Sequence, residues 1–366
     1  MTESAWIVTA VRNEAPFLLE WVAHHRAMGF DGVLIFTGHS VDGTDEMAAR
    51  LDALGHVHHV PLDLKPGRDP MRYGLRELLP RLQELQADWA LPVDIDEFLM
   101  VHAGAGTVAD LVEVSGQADA ISVCRKPFGS SGRRGLPDVE MRSGFTRSFA
   151  KQDKVKMVGR GLKTLFRPKA VDKAATHRPY FKGEPADVRW VDGGAEPMPE
   201  AYFEGLWSAH ETFSNRFARL HYYPVPSPEC FILRRGLPED KKQRKGLLQD
   251  WQKLDADAET DDSMVGAVAR SAPMLEQFRA DPELARIESA GRAWHEARIA
   301  EMLQDGKLAE LCAENPKFTP VWRWPLHSTA GSAGALRRQT VARREKPCGA
   351  AWRVPQDGHY LSAKAA

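Results

Sequence analysis

Short apolar runs alternate with segments of helical spacing through the first hundred residues. Residues 5–11 form a continuous apolar run with β-branched side chains, which is typical of a strand buried on both faces. Residues 14–28 then carry apolar side chains at helical spacing, and further strand-like runs follow at 32–37, 56–62 and 89–93. This order predicts an α/β fold, in which a mostly parallel sheet is flanked by helices.

Polar residues follow each of these predicted strands, at 12–14, 38–42, 65–68 and 94–97. The carboxyl ends of parallel strands lie at one edge of a sheet, and such sheets bind their ligands at that edge. We therefore expect the four segments to line one crevice.

The most specific chemical signal is the segment Asp94-Ile95-Asp96-Glu97-Phe98. Its two aspartates supply hard oxygen ligands, which suit a divalent cation that in turn holds a diphosphate. A capped turn with solvated carboxylates is the alternative interpretation of the same pair. The position of the segment at a strand end favours the metal site.

The chain is long enough for one large domain and an appendage. We predict a main domain at 1–240, a helical C-terminal region at 241–327 and a flexible tail at 328–366. The highly charged residues 238–262 indicate a solvated helical arm or lid. Apolar positions at helical spacing predict further helix over 274–314.

Composition excludes several other classes of protein. The formal net charge of −1 gives no reason to expect a nucleic-acid partner. The first four residues lack the basic start of a signal peptide, and no apolar run approaches the roughly 18–20 residues that span a bilayer. Four widely spaced cysteines without a CxxC pair suit a reducing compartment. We expect a cytoplasmic protein and leave a peripheral membrane contact open.

Several of these segments resemble a known enzyme family. Residues 11–14 (Val-Arg-Asn-Glu) and 18–31 resemble the opening of a bacterial group within the family 2 glycosyltransferases and their relatives in family 92. Residues 40–44 match the S-x-DGT turn of that group, and residues 89–99 match its W-x-x-x-x-D-x-DEF block.

The later blocks of the family have counterparts in the Gly-rich basic loop that begins at Phe128, in His221-Tyr222 and in residues 227–231. The resemblance covers roughly residues 5–240. The chain departs from the family pattern at three positions: Gly38, His39 and Leu220.

The resemblance implies a GT-A fold and a nucleotide-sugar donor, usually a UDP-sugar, together with Mn²⁺ or Mg²⁺. It also implies transfer to a glycan or a lipid-linked acceptor, with inversion at the sugar carbon. Asp96 would contact the metal directly, and Asp94 would face the ribose or a metal-bound water. His221 would be a third metal or phosphate ligand, with a packed core histidine as the alternative, and His177 is a weaker competitor.

Nucleotide contacts are expected from Arg12, Asn13 and Glu14 after the first strand and from Asp42 after the second. Helix capping by Asn13 and turn formation by Asp42 are alternatives that can coexist with this role. Basic side chains that could meet the diphosphate occur later in the chain, because an arginine fork or a lysine suits phosphate oxygens. These are Lys163, Arg167, Arg234 and Arg235.

An inverting transfer also needs a general base that takes the proton of the acceptor hydroxyl. Glu140 is our choice, because it follows the Gly-rich loop. Other carboxylates qualify by type, and no spacing selects among them: Asp138, Asp192, Glu204 and Glu211. Glu97 could orient a metal-bound water or touch the acceptor, or it could form a salt bridge to an arginine.

Two other functions fit parts of the pattern. A nucleotidyltransferase also uses Asp-x-Asp and Mg²⁺, but it normally has a Gly-rich basic loop after its first strand, and residues 12–16 contain no glycine. A nucleotide- or glycan-binding protein could keep the fold without turnover.

Overall fold

The computed structural model describes residues 3–65, 68–149, 161–209, 213–236, 240–255 and 257–304. Its main sheet contains strands β1 (Ala5–Val11), β2 (Gly32–Thr37), β3 (His58–Pro61), β4 (Trp89–Pro92), β5 (Glu97–Val101), β6 (Ala120–Pro127), β8 (Leu162–Phe166), β11 (Trp190–Asp192) and β12 (Ala218–Tyr222). Two small ribbons pair β7 (Arg147–Ser148) with β13 (Glu259–Thr260), and β9 (Val171–Lys173) with β10 (Tyr180–Phe181).

The strands of the main sheet follow the order β3-β2-β1-β4-β8-β6-β12-β5, and β11 also pairs with β6. Five neighbouring pairs are parallel: β1–β2, β1–β4, β2–β3, β6–β11 and β6–β12. Strand β8 runs antiparallel between β4 and β6, and β5 runs antiparallel to β12. The predicted α/β fold with a mostly parallel sheet is therefore confirmed.

The described helices are α1 (Ala15–Ala27), α2 (Thr44–Ala53), α3 (Pro70–Glu84), α4 (Val108–Val114), α5 (Met141–Gly144), α6 (Pro228–Arg235), α7 (Lys241–Leu254), α8 (Val265–Ala280) and α9 (Pro282–Leu303). Alternation along the strands divides their core contacts. Ile7 and Val33 belong to the core that includes α1, α2, α8 and α9, whereas Val8 and Leu34 pack with α3. None of these helices is long and apolar enough to cross a membrane.

Helices α8 and α9, the last that the structure describes, are part of this packing. Leu275 of α8 and Ile287 of α9 lie in the same core cluster as the first strands. The helix predicted over 274–314 is broken at Asp281, whose carboxylate caps α9 by accepting from the Leu284 N–H at 3.0 Å. Residues 305–314 of that prediction lie outside the described part of the chain. The predicted division at residue 240 and the predicted tail remain predictions, and residues 328–366 lie outside the described part of the chain.

The segment expected to be a solvated helical arm contains a helix, but that helix is packed against the protein. Helix α7 buries Leu247, Trp251 and Leu254 against Phe231 of α6 and Met302 of α9. Its charged side chains fill the remaining faces, which is why composition alone suggested a solvated segment.

The Gly-rich basic loop after β6 is tied to two helices. The Ser130 N–H donates to Asp255 Oδ1 at 2.8 Å, at the end of α7. The Gly135 N–H donates to Glu229 Oε2 at 3.0 Å, and its carbonyl accepts from Ser227 Oγ at 2.6 Å, at the start of α6.

Candidate active site

The loops that follow β1 and β2 interlock at the carboxyl edge of the sheet. Arg12 Nε donates to the Gly38 carbonyl at 2.5 Å, and Asn13 Oδ1 accepts from the Val41 N–H at 2.8 Å. Asn13 has a φ of 56°, a left-handed conformation that asparagine adopts more readily than most residues. The predicted convergence of these two strand ends is confirmed, and Arg12, Asn13 and Glu14 all lie there.

Asp94 and Asp96 lie in the tight turn between β4 and β5, beside the same edge. The turn is held from both sides. The Asp94 N–H donates to Glu97 Oε2 at 2.7 Å, and the Asp96 carbonyl accepts from the Tyr223 N–H at 2.8 Å. The carboxylate pair is therefore presented by a turn with fixed backbone geometry.

Two buried cations from other strands meet this turn. Arg125 of β6 pairs with Asp94 Oδ2 at 2.7 Å through one guanidinium nitrogen and with Glu97 Oε1 through another. Lys163 of β8 lies 3.1 Å from Asp94 Oδ2 and 3.5 Å from Glu97 Oε2. Glu97 has no exposed side-chain surface, and the salt-bridge alternative for this residue is the one that the structure shows.

Strand register explains why these side chains meet. Lys163 pairs with Val123 across β8 and β6, and Arg125 lies two residues further on the same face of β6. Tyr222 of β12 lies opposite Glu97 of β5 and therefore shares its face. All four site residues project from one side of the sheet.

Arg234 connects the turn to the loop after β1. Its guanidinium lies 3.2 Å from Asp96 Oδ2 and 2.7 Å from Glu14 Oε2, and it packs over the Phe17 ring at 5.2 Å. The residue is placed by α6, whose C-terminal turn reaches this edge. Lys163 and Arg234, both predicted from sequence to meet a diphosphate, are thus brought to the carboxylate pair.

The two aspartates differ in acidity because their neighbours differ. Burial raises the pKa of Asp96 to about 7, against the opposing effect of Arg234. Burial would also raise the pKa of Asp94, but Lys163 and Arg125 lower it to about 2. Asp94 is thus firmly ionised, whereas Asp96 changes its charge near neutral pH.

This difference predicts a pH dependence of stability. The native pKa of Asp96, about 7, exceeds its ordinary value of 3.8, so the native state keeps a proton that the unfolded chain has lost. The contribution of Asp96 to stability is therefore complete below about pH 4 and is lost as the pH rises through about 7. When the pH rises from about 5 to about 7.5, the free energy of unfolding of wild type should fall by about 2 kcal/mol more than that of Asp96→Asn.

Urea unfolding without divalent metal, at several pH values, checks this expectation. Asp187→Asn, at an exposed carboxylate, is the matched control and should follow the wild-type curve. Parallel curves for wild type and Asp96→Asn would contradict the raised pKa.

Tyr222 is a site residue for which the sequence predicted no role. The Arg125 guanidinium lies over its ring, 4.5 Å from the centroid, so the ring covers the ion pairs of Arg125 with Asp94 and Glu97. The pKa of Tyr222 is raised by burial and by the nearby Asp96 carboxylate. The ring therefore packs against the guanidinium that both carboxylates share.

Exchange of Tyr222 separates the ring from the hydroxyl. The free energy of unfolding of Tyr222→Phe should lie within about 0.5 kcal/mol of the wild-type value, because the ring over Arg125 is kept. Tyr222→Leu should lose about 1–2 kcal/mol, the value of a partly desolvated cation–π contact. Chemical denaturation measures both, and equal losses in the two variants would show that the hydroxyl, not the ring, stabilises the site.

His221 is not part of this cluster, so the predicted metal ligand is wrong at this position. It pairs in register with Phe98 and faces the opposite side of the sheet from Tyr222. There its ring is fully buried, stacks on Phe128 at 4.6 Å and accepts from Arg219 Nε at 3.1 Å. The two members of the His-Tyr pair lie on opposite faces because strand side chains alternate.

Asp42 lies at the expected edge but does not face the crevice. Its side chain has no exposed surface. One oxygen accepts from the Ala15 N–H at 3.0 Å and from His295 Nε2 at 3.0 Å, and the other accepts from the Thr44 N–H at 3.0 Å. Asp42 therefore makes no predicted nucleotide contact. It forms a buried joint, the set of hydrogen bonds that ties Asp42 to Ala15, Thr44 and His295.

The structure does not bring the proposed general base to the site. Glu140 pairs with Arg279 of α8 at 3.2 Å, beside α5. Glu97 is enclosed by its ion pairs. Among the other carboxylates considered, Asp192 caps its own loop by accepting from Gly194 and Ser214 N–H groups, and Glu211 lies outside the described residues.

Of the remaining basic candidates, two lie away from the carboxylate turn and one lies near it. Arg167 pairs with Glu3 at 2.6 Å, and Arg235 with Asp250 at 3.3 Å, so neither is tied to the carboxylate turn. His177 lies near the cluster, where burial, Lys163 and Arg125 lower its pKa to about 3, and its Nδ1 donates to a main-chain carbonyl of β8 at 3.0 Å.

Within the described residues, no three or more His, Cys, Asp or Glu side chains are grouped to hold a metal ion. Two carboxylates nevertheless fit a hard cation. Asp94 and Asp96 each have a second oxygen that takes part in no ion pair among the described residues. When all are ionised, the carboxylates of Glu14, Asp94, Asp96 and Glu97 exceed the three cations by one charge. This net negative charge favours a bound cation. Two carboxylates alone do not fill the ligand set of a divalent ion, so substrate and water would supply the rest.

Comparisons with known proteins agree with the motif resemblance. No protein-family model matches the chain. A glycosyltransferase family 92 protein of Oryza sativa subsp. japonica is 28% identical over 218 residues, which are 59% of this chain and 35% of that protein. A glycosyltransferase family 92 protein of Ricinus communis is 24% identical over 143 residues, or 38% of this chain and 25% of that protein.

The chain thus matches about a third and a quarter of the length of these two relatives. Among solved structures, S. aureus TarS 1–349 in complex with UDP-GlcNAc has 12% sequence identity and a TM-score of 0.31, covering 76% of this chain and 73% of that chain. A superposition this loose does not by itself define a function. The sequence similarity supports the resemblance to family 92 glycosyltransferases, and the bacterial subgroup stays a prediction.

Proposed function

We propose that the chain is a glycosyltransferase that moves a sugar from a nucleoside-diphosphate donor to an acceptor hydroxyl. The observation that carries this proposal is the joining of Asp96, Glu14 and Arg234 at the carboxyl edge of the sheet. Similarity to proteins named as family 92 glycosyltransferases supports it. A UDP-sugar as donor, a glycan or lipid-linked acceptor and inversion follow from the motif resemblance, and a cytoplasmic location stays a prediction.

The donor diphosphate would lie beside the turn between β4 and β5. Arg234 is partly exposed there and presents a planar fork that suits phosphate oxygens. Lys163 and Arg125 are almost fully buried behind Asp94, so they set the potential of the site and the position of the aspartates. Their charges would favour the departing diphosphate without direct contact.

Asp94 and Asp96 would hold Mn²⁺ or Mg²⁺ through their unpaired oxygens. Bound there, the cation would act as a Lewis acid that neutralises charge on the leaving nucleoside diphosphate. Two carboxylates do not fill the ligand set of such a cation, so the donor's own phosphates would complete it.

The nucleoside would occupy the adjoining crevice between the loops after β1 and β2. Arg12 and Asn13 are half-buried in these loops, and their bonds to Gly38 and Val41 fix the two walls relative to each other. The connection from β1 to α1 is short and has no glycine, which disfavours a nucleotidyltransferase.

Incubation with Mn²⁺, an acceptor mixture and a panel of nucleotide-sugars tests the proposal. Release of free nucleoside diphosphate from one donor, and its loss on removal of the metal with a chelator, are the expected results. Nucleotide binding without turnover on any donor and acceptor would favour a silent binding protein instead. A protein that binds no nucleotide would contradict both the glycosyltransferase and the silent nucleotide-binding protein.

A further inference from the structure

The buried pair of Asp42 and His295 has no role in the chemistry proposed above. His295 Nε2 lies 3.0 Å from Asp42 Oδ2, and the two side chains are 7% and 0% exposed. The contact spans most of the described chain, because His295 belongs to α9 and Asp42 follows β2. A buried polar pair of this kind is costly unless its hydrogen bonds are complete.

Asp42 joins the starts of two helices to the middle of α9. Its carboxylate accepts from the Ala15 N–H at the start of α1 and from the Thr44 N–H and hydroxyl at the start of α2. The Thr44 hydroxyl oxygen accepts in turn from the Glu14 N–H at 2.8 Å. His295 thus holds the group that fixes the backbone of Glu14.

Glu14 connects these hydrogen bonds to the crevice. Its carboxylate lies 2.7 Å from Arg234, whose other nitrogen lies 3.2 Å from Asp96. A continuous series of contacts therefore runs from α9 to the carboxylate pair.

One face of α9 is shaped for this joint. Ile287, Gly291 and His295 follow at intervals of four residues, so they share a face. A Cβ at Gly291 would lie 2.6 Å from the Ala15 Cβ and 2.9 Å from the Asp42 carbonyl oxygen, and one at Gly43 would lie 3.0 Å from Ile287 Cγ2. Only glycine at 291 lets the helix approach this closely.

We propose that α9 positions the donor site, and that His295 is a positioning residue that sets Glu14 and Arg234 through Asp42. The inference rests on the proposed function for its consequence, but the joint itself can be measured without a substrate. It makes α9 a support of the nucleotide crevice.

His295→Leu and His295→Gln form a matched pair, because glutamine can still donate to Asp42 and leucine cannot. His295→Leu should weaken binding of UDP with Mn²⁺ roughly tenfold, the usual cost of losing a supporting contact, and His295→Gln should restore most of it. Phe278→Leu is the control, since it loosens the edge-on contact with His56 in the same region of packing without touching the joint.

Hydrogen exchange of the Glu14 and Ala15 amides gives a second readout that needs no ligand. We expect faster exchange in His295→Leu than in Phe278→Leu, and near wild-type exchange in His295→Gln. If His295→Leu does not fold, Gly291→Ala tests the same joint by displacing α9. Unchanged exchange in these variants, or equal loss of UDP affinity in Phe278→Leu, would overturn the inference. If His295→Leu exchanges faster but the wild-type protein binds no nucleotide, the positioning role of His295 stands and the proposed function fails.

Discussion

Asparagine in place of Asp96 is expected to reduce sugar transfer by roughly 10³-fold, because a Lewis acid contributes several kcal/mol and each 1.4 kcal/mol is a factor of ten. The substitution keeps the size of the side chain and removes the charge that would hold the cation. It also removes the charge partner of Arg234, 3.2 Å away. The rate of nucleoside diphosphate release, at saturating donor and metal, measures the loss.

The effect should be in chemistry and metal affinity rather than in folding. Because Asp96 has a pKa of about 7, Asp96→Asn relieves a buried charge and should unfold no more readily than wild type at neutral pH. Asp187→Asn, an exposed aspartate, should transfer sugar at the wild-type rate. An Asp96→Asn enzyme that retains more than about a tenth of the wild-type rate would contradict the proposed metal site.

The sheet was predictable because its signal is local. Residues 5–11, 32–37 and 89–93 each read as buried strands, and the intervening helical spacing requires parallel crossovers. The same rule placed the Arg12–Glu14 segment, Asp94 and Asp96 at one edge. The antiparallel insertion of β8 between β4 and β6 has no such local signal, because it depends on packing between distant segments.

The missed residues follow from that insertion. Strand β8 pairs with both β4 and β6, and so brings Lys163 and Arg125 to the turn that carries Asp94. Its one sequence signal was the charged pair Arg125-Lys126 at the end of a mostly apolar strand, where a buried arginine needs a carboxylate partner. The choice of His221 over Tyr222 failed for a related reason, because a shift of one residue along a strand changes the face.

The largest stability effect is expected at Arg125. Its side chain is 9% exposed and neutralises Glu97, which has no exposed surface. Arg125→Met should lower the free energy of unfolding by about 3–5 kcal/mol, because it leaves a buried carboxylate without its main partner. Lys163, 3.5 Å from Glu97, compensates only in part.

A double-mutant cycle with Glu97→Gln separates the lost ion pair from the lost packing. If the cost arises from the unpaired carboxylate, Arg125→Met with Glu97→Gln should be more stable than Arg125→Met alone, with a coupling of about 1–3 kcal/mol. Arg81→Met is the matched control, since its pair with Glu84 at 2.9 Å is exposed and should be worth less than about 1 kcal/mol. Urea unfolding of the variants decides the point, because strictly additive losses would mean that Arg125 stabilises the site by packing against Tyr222 rather than by neutralising Glu97.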